Sequence, residues 1–177
     1  MNNYFELYEI PMSLCPDAAL VKKQFYKLSK QYHPDRVAQN DDAAKAEALQ
    51  MAAMVNEGYK TLSDTDKTIA YVLRLHDMLQ DEEKYNLPAD FLMEMMELNE
   101  AVSDYEDEPE NERLKTQAEQ ALAEQLSAWD NAMKPLYSAF DTAIDKQDVL
   151  LSIKDFYFRK KYFLRIKERF STFASRR

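Results

Sequence analysis

A chain of 177 residues with a single glycine, Gly58, is poorly supplied for tight turns. An average composition, at roughly 7% glycine, would hold about a dozen. Hairpin turns draw on glycine for backbone of positive φ, so the many turns of a β sandwich or barrel are hard to build from this sequence. The abundant residues, Ala, Leu, Met, Glu, Lys and Gln, are instead strong helix formers. The expected fold is all-α. At 46% hydrophobic and 31% charged residues, the chain has material for one or two globular domains.

The apolar spacing supports helices from the start of the chain. A short opening helix is expected over Tyr4 to Ile10, then a loop from Pro11 through Pro16, with Asp17 as N-cap of the next helix. Ala18, Val21, Phe25, Leu28 and Tyr32 recur at intervals of three and four, which predicts one buried helical face. Lys22, Lys23, Lys27 and Lys30 fall on the other side. Pro34 ends this helix, because it cannot donate a backbone hydrogen bond and biases His33 out of the α region. A second long helix is expected from about 43 to 62, carrying Ala48, Met51, Val55, Tyr59 and Leu62 on one face. Two such helices joined by a short loop pack antiparallel, which puts His33-Pro34-Asp35 at the tip of a hairpin.

Caps at Ser63 to Asp66 predict a further helix bearing Ile69, Tyr71, Val72 and Leu75. Residues 77–87 are acidic and read as a linker, so the expected domains are 1–76 and 88–177. The second should hold three helices, about 89–104, 109–140 and 143–174, with Pro109 in the first turn of the middle one.

Charge is unevenly distributed. Residues 77–112 hold Lys84 alone against 14 acids, whereas residues 154–177 hold 9 bases against Asp155 and Glu168. A basic C-terminal stretch is compatible with nucleic acid, but this one is helically patterned with aromatics and can neutralise the acidic zone of the same chain, so no nucleic-acid partner is expected. Phe156, Phe163, Phe170 and Phe173 are expected in the core, with Arg159, Lys160, Lys161 and Arg165 facing acids of residues 77–112 or solvent. Cys15 is the only cysteine, so no internal disulfide forms. No apolar run approaches the roughly 20 residues of a membrane span, and the first residues lack the order of a signal peptide. A cytoplasmic protein with no membrane partner is expected.

As catalysis, His33-Pro34-Asp35 is poor: a rigid proline separates base from carboxylate, and no reactive Ser or Cys is placed beside them. As a metal site it is also poor, since His33, His76 and Cys15 are the only soft ligands and lack zinc-type spacing. Neither enzyme nor metalloprotein nor cofactor carrier is expected.

The tripeptide sits within a larger pattern. Tyr4-Phe5-Glu6-Leu7-Tyr8, then Gln31-Tyr32-His33-Pro34-Asp35-Arg36, then Val55-Asn56-Glu57-Gly58-Tyr59-Lys60-Thr61-Leu62-Ser63-Asp64 resemble the J-domain of the DnaJ family across residues 1–76. Thr65 stands where many members have proline, and Thr68 where a basic residue is common. The resemblance implies a co-chaperone in which His33, Pro34, Asp35 and Arg36 contact an HscA- or DnaK-type ATPase chaperone and trigger ATP hydrolysis there. Asp35 can bond an arginine of that partner, and Lys22, Lys23, Lys27 and Lys30 can steer the encounter. Read without the tip, the same lysines are a solvated helix face.

Beyond residue 76, Tyr71-Val72-Leu73-Arg74-Leu75-His76 and Asp90-Phe91-Leu92-Met93-Glu94-Met95-Met96-Glu97-Leu98-Asn99-Glu100 look like the HscB family, the J-proteins of iron–sulfur cluster assembly. Phe91, Leu92, Met95, Leu98 and Val102 make a sufficient core stripe, which leaves Met93 and Met96 as apolar surface for an adaptable partner. The alternatives are a helix buried unusually deeply or packed against the first domain. The resemblance implies that Leu92, Met93, Met96, Glu97 and Glu100, joined by Phe158 of the last helix, bind an IscU-type scaffold protein. Two rival readings stand beside this one: a general-folding J-protein that binds unfolded chains, and a helical adaptor with no chaperone partner.

Overall fold

The computed structural model describes residues 3–33, 35 and 42–175. Among them the fold is all-α, with helices α1 (Tyr4–Leu7), α2 (Ala18–Gln31), α3 (Asp42–Leu62), α4 (Thr65–Leu75), α5 (Ala89–Asp107), α6 (Glu112–Thr142) and α7 (Gln147–Ala174). They divide into two compact units, residues 1–79 with 140–142, and residues 80–139 with 143–177.

In the first unit α2 and α3 form the expected hairpin. Asp17 caps α2 by accepting the Leu20 N–H at 2.8 Å. Val21 and Leu28 are buried, and Phe25 stacks on Tyr59 of α3 with ring centroids 4.3 Å apart. Ala18, expected to open the buried stripe, is exposed instead. Asp64 caps α4, whose buried face holds Ile69, Val72 and Leu73. Thr68, the departure from J-domain habit, is fully buried, and its hydroxyl lies 2.9 Å from the carbonyl oxygens of both Thr61 and Asp64. It thereby ties the start of α4 to the end of α3.

The opening helix stops at Leu7 rather than Ile10, because Glu9 turns into the left-handed region at φ 52°. The Ile10 N–H then reaches back to the Phe5 carbonyl and the Glu9 N–H to that of Glu6, both at 3.1 Å. This is a Schellman ending with an acid where glycine is usual. The end of α4 repeats it with Asp77 at φ 56° and a Met78 N–H to Leu73 bond of 2.8 Å. These two corners, and a third at Glu82 with φ 58°, are thus turned without glycine among the described residues.

The one glycine serves packing instead. Gly58 is buried about one turn before the end of α3, and a Cβ there would lie 2.7 Å from the Tyr8 ring and 3.3 Å from that of Tyr4. Tyr8 cannot retreat, since it is fully buried and its hydroxyl donates to the Val55 carbonyl at 2.5 Å. Burial, with Tyr59 and Tyr4 adding, also holds its pKa well above the ordinary tyrosine value. Gly58→Ala is therefore expected to lower stability. Overpacking costs about 1–3 kcal/mol and exceeds the roughly 1 kcal/mol that alanine gains in a helix. Urea unfolding should show a lower midpoint at unchanged slope; a raised midpoint would mean that the rings yield.

The second unit is a three-helix bundle. Phe91, Met95, Leu98, Val102 and Tyr105 of α5 meet Ala118 and Leu122 of α6 and Phe163, Ile166 and Phe170 of α7 in one core. Phe156 and Phe173 are only half-buried. Pro109 lies outside α6, contrary to its expected place in the first turn. It occupies the second position of a turn closed by the Asn111 N–H to Glu108 carbonyl bond at 3.0 Å, a position that suits its fixed φ equally well. Asn111 then caps α6 by accepting the Leu114 N–H at 3.4 Å. Pro135 falls inside α6, where it has no N–H to offer the carbonyl four residues earlier.

Candidate partner-binding surfaces

At the end of α2 the His33 Nδ1 accepts the Asp35 N–H at 3.2 Å and stands 3.6 Å from the Asp35 carboxylate. That bond leaves the ring proton of the neutral form on Nε2. The Asp35 side chain is 89% exposed, so its carboxylate is available to a partner. Pro34 and Arg36, assigned to the same tip, lie outside the described residues.

Lys22, Lys23, Lys27 and Lys30 are all exposed along α2. Lys27 is not free, since its ammonium pairs with Glu9 at 2.6 Å. An exposed pair of this kind is weak and readily exchanged. Between these lysines stands Tyr26, 62% exposed, an aromatic that the apolar stripe of α2 does not include. Its position four residues from both Lys22 and Lys30 was the available signal.

The start of α5 separates an inner from an outer face. Phe91, Met95 and Leu98 are buried, whereas Met93 is 66% and Met96 70% exposed. Leu92, counted in the core stripe from sequence, is 36% exposed and belongs to the outer face. Glu97 and Glu100 are also exposed. No side chain caps this helix at Pro88. Its first turn is held by Phe91, whose ring meets Tyr162 edge-on at 6.1 Å and lies under the Arg159 guanidinium at 5.4 Å.

Phe158 is not on this outer face. It is buried, and Tyr85 stacks flat on it, with centroids 4.5 Å apart and an interplanar angle of 2°. The Tyr85 hydroxyl donates to Asp155 at 2.8 Å, and burial followed by this bond pushes its pKa up to about 12. Two residues earlier Glu83 pairs with Lys154 at 2.5 Å, and the hydrogen bond from Lys154 holds its carboxyl below the usual range. Farther along α7, Arg169 bonds Glu106 and Ser103, and Glu106 raises its pKa.

These pairs correct the expected partners of the basic helix. Lys154 and Arg169 engage the acids of residues 77–112, whereas Arg159 pairs with Asp155 of its own helix at 2.6 Å and Lys160 lies 3.7 Å from the centroid of the Trp129 ring. Lys161 and Arg165 face solvent. Among the described residues no group of three or more His, Cys, Asp and Glu is placed to hold a metal ion, and no helix is long and apolar enough to cross a membrane.

Comparison with known proteins follows the division into two units. Residues 3–71 match the DnaJ domain family, and residues 87–171 match the HSCB C-terminal oligomerisation domain family. A co-chaperone protein HscB homolog of Chromobacterium violaceum is 39% identical over 103 residues, 58% of this chain and 59% of that protein. The chain thus aligns with a little over half the length of this relative. An HscB homolog of Shewanella baltica is 32% identical over 123 residues, covering 69% of this chain and 71% of its own. In three dimensions the chaperone HscB of Vibrio cholerae superposes with a TM-score of 0.74 at 25% identity, covering 98% of both chains. Human co-chaperone protein HscB gives 0.76 at 25% identity over 96% of this chain and 81% of its own. A J-domain match in one unit, an HscB-specific match in the other and a relative aligned over most of its length agree that this chain belongs to the HscB family of co-chaperones.

Proposed function

We propose that the protein stimulates the ATPase of an HscA- or DnaK-type chaperone and delivers to it an IscU-type iron–sulfur scaffold protein, promoting cluster transfer. The observation that carries this reading is the pairing, in one chain, of an exposed Asp35 carboxylate beyond a lysine-lined helix with a second unit that exposes Met93 and Met96 among acids. In this reading residues 1–76 are the chaperone-activating J-domain, residues 77–87 the acidic connection and residues 88–177 the scaffold-binding domain. His33, Pro34, Asp35 and Arg36, with Lys22, Lys23, Lys27 and Lys30, meet the chaperone. Leu92, Met93, Met96, Glu97 and Glu100 meet the scaffold, with Phe158 contributing through the cleft that it lines beside Tyr85. The chain itself catalyses nothing and uses no cofactor.

The test is ATP turnover by an HscA-type chaperone with this protein, with and without an IscU-type scaffold. Stimulation should occur with the protein alone and rise further when the folded scaffold is present. Stimulation indifferent to the scaffold would identify a general-folding J-protein, and none in either case would leave a helical adaptor.

The lysines of α2 give a separate expectation. Reversing Lys23, Lys27 and Lys30 to Glu should slow chaperone association at least tenfold without unfolding the chain, since steering by exposed charge acts on the encounter rate. Added salt should slow the wild type in the same way, because such charges are screened over about 8 Å at physiological ionic strength. Stopped-flow association rates insensitive to salt would exclude steering.

A further inference from the structure

Residues 83–87 lie along α7 and enclose with it a cleft of about 250 Å³. That is below the roughly 300–1,000 Å³ of small-molecule sites, so it suits a side chain or two rather than a cofactor. Its wall is aromatic: Tyr85, stacked on Phe158, and Tyr162. Its rim carries Lys161 and Arg165, one turn apart on α7 and both exposed.

The charges around this cleft are not equally committed. Glu83, the carboxylate on its lining, is neutralised by Lys154 at 2.5 Å, and Asp155 beneath Tyr85 is shared between the Tyr85 hydroxyl and Arg159. Among the described residues Lys161 and Arg165 have no hydrogen bond or ion pair. In a chain of net charge -9, two uncommitted cations beside an aromatic wall select a carboxylate on an apolar stem.

We propose that this cleft receives an acidic side chain of the scaffold protein, with an apolar neighbour of that residue packed against Tyr85 and Tyr162. The choice of occupant rests on the scaffold reading above. Tyr162 lines the cleft and also touches Phe91, so the cleft adjoins the first turn of α5, where Leu92 and Met93 begin the apolar face. Farther along that face stand Glu97 and Glu100, which repel an acidic segment and attract a basic one. An apolar patch bracketed by cations at one end and carboxylates at the other admits a partner in one orientation.

The double variant K161E/R165E should bind an IscU-type scaffold about tenfold more weakly and lose most of the salt dependence of binding, while K161R/R165K keeps wild-type affinity. Trp129, the only tryptophan, donates to the Phe156 carbonyl of α7 at 3.2 Å, so unchanged emission shows that the bundle is intact. A second arm uses the capped dipeptides acetyl-Asp-Phe-amide and acetyl-Asn-Phe-amide as probes by NMR. The first should shift the Tyr85 and Tyr162 signals and the second should not. Unchanged scaffold affinity in the charge-reversed variant, or equal shifts with both dipeptides, overturns the proposal. So does a wild type that sediments as a dimer while the charge-reversed variant sediments as a monomer at full scaffold affinity, because the occupant is then a second copy. A scaffold that does not bind the wild type refutes the scaffold reading and with it the occupant; dipeptide selectivity then still shows whether the cleft takes carboxylates.

Discussion

Asp35→Asn is expected to leave a folded protein that barely stimulates a chaperone ATPase. The substitution is nearly isosteric, and the side chain it alters is 89% exposed, so helicity and melting should not change. What disappears is a charge. A hydrogen bond to a charged group is worth about 1.5–3 kcal/mol, which corresponds to a factor of about 10–150 in coupling. The His33 Nδ1 bond to the Asp35 N–H involves backbone and should survive, which isolates the carboxylate as the variable. Single-turnover ATP hydrolysis, with circular dichroism alongside, measures both quantities. Full stimulation by this variant would remove the carboxylate from the mechanism.

Replacing Leu92, Met93 and Met96 together by Ala should have a comparable effect on the other partner. Fully burying a leucine or methionine side chain is worth about 1.5–3 kcal/mol. With Met93 66% and Met96 70% exposed in the free protein, most of that burial remains to be gained on binding. The triple variant should lose at least about 3 kcal/mol of scaffold affinity, or a factor of about 150 in Kd. Its stability should hardly fall, because Phe91, Met95 and Leu98 keep the core of α5 and alanine suits the helix. Basal chaperone stimulation should persist, since the J-domain is untouched. Calorimetry that returns wild-type affinity in a folded variant would move the scaffold site elsewhere.

The parts of this fold that could be read from sequence are those set by local chemistry. Asp17 and Asp64 announce the helices they cap, and Val21, Leu28 and Val55 fall on buried faces because periodicity alone determines which side of a helix they occupy. The same rule foresaw that Met93 and Met96 stand off the core stripe of α5. It misplaced Leu92, which lies about 100° around the helix from Phe91 and so falls outside a stripe that Phe91, Met95 and Leu98 already fill. Proline was ambiguous for a physical reason: its fixed φ suits a helix's first turn and the second position of a β-turn alike, and Pro109 took the turn. Nothing local could reveal the pairing of Tyr85 with Asp155 across 70 residues, or of Glu106 with Arg169 across 63. Residues 77–87 therefore read as a solvated acidic linker, although Glu83 and Tyr85 are tied to α7.

The notch at Gly58 constrains the order in which substitutions can accumulate. A side chain at position 58 meets the Tyr8 ring edge, not its hydroxyl, so Tyr8→Phe leaves the obstruction in place. The ring itself has to go first, as in Tyr8→Leu, and that step abandons the bond to the Val55 carbonyl before any helix propensity is recovered. Either single change crosses a less stable intermediate. Positions 8 and 58 therefore exchange as a pair, and a lineage that keeps the tyrosine keeps the glycine.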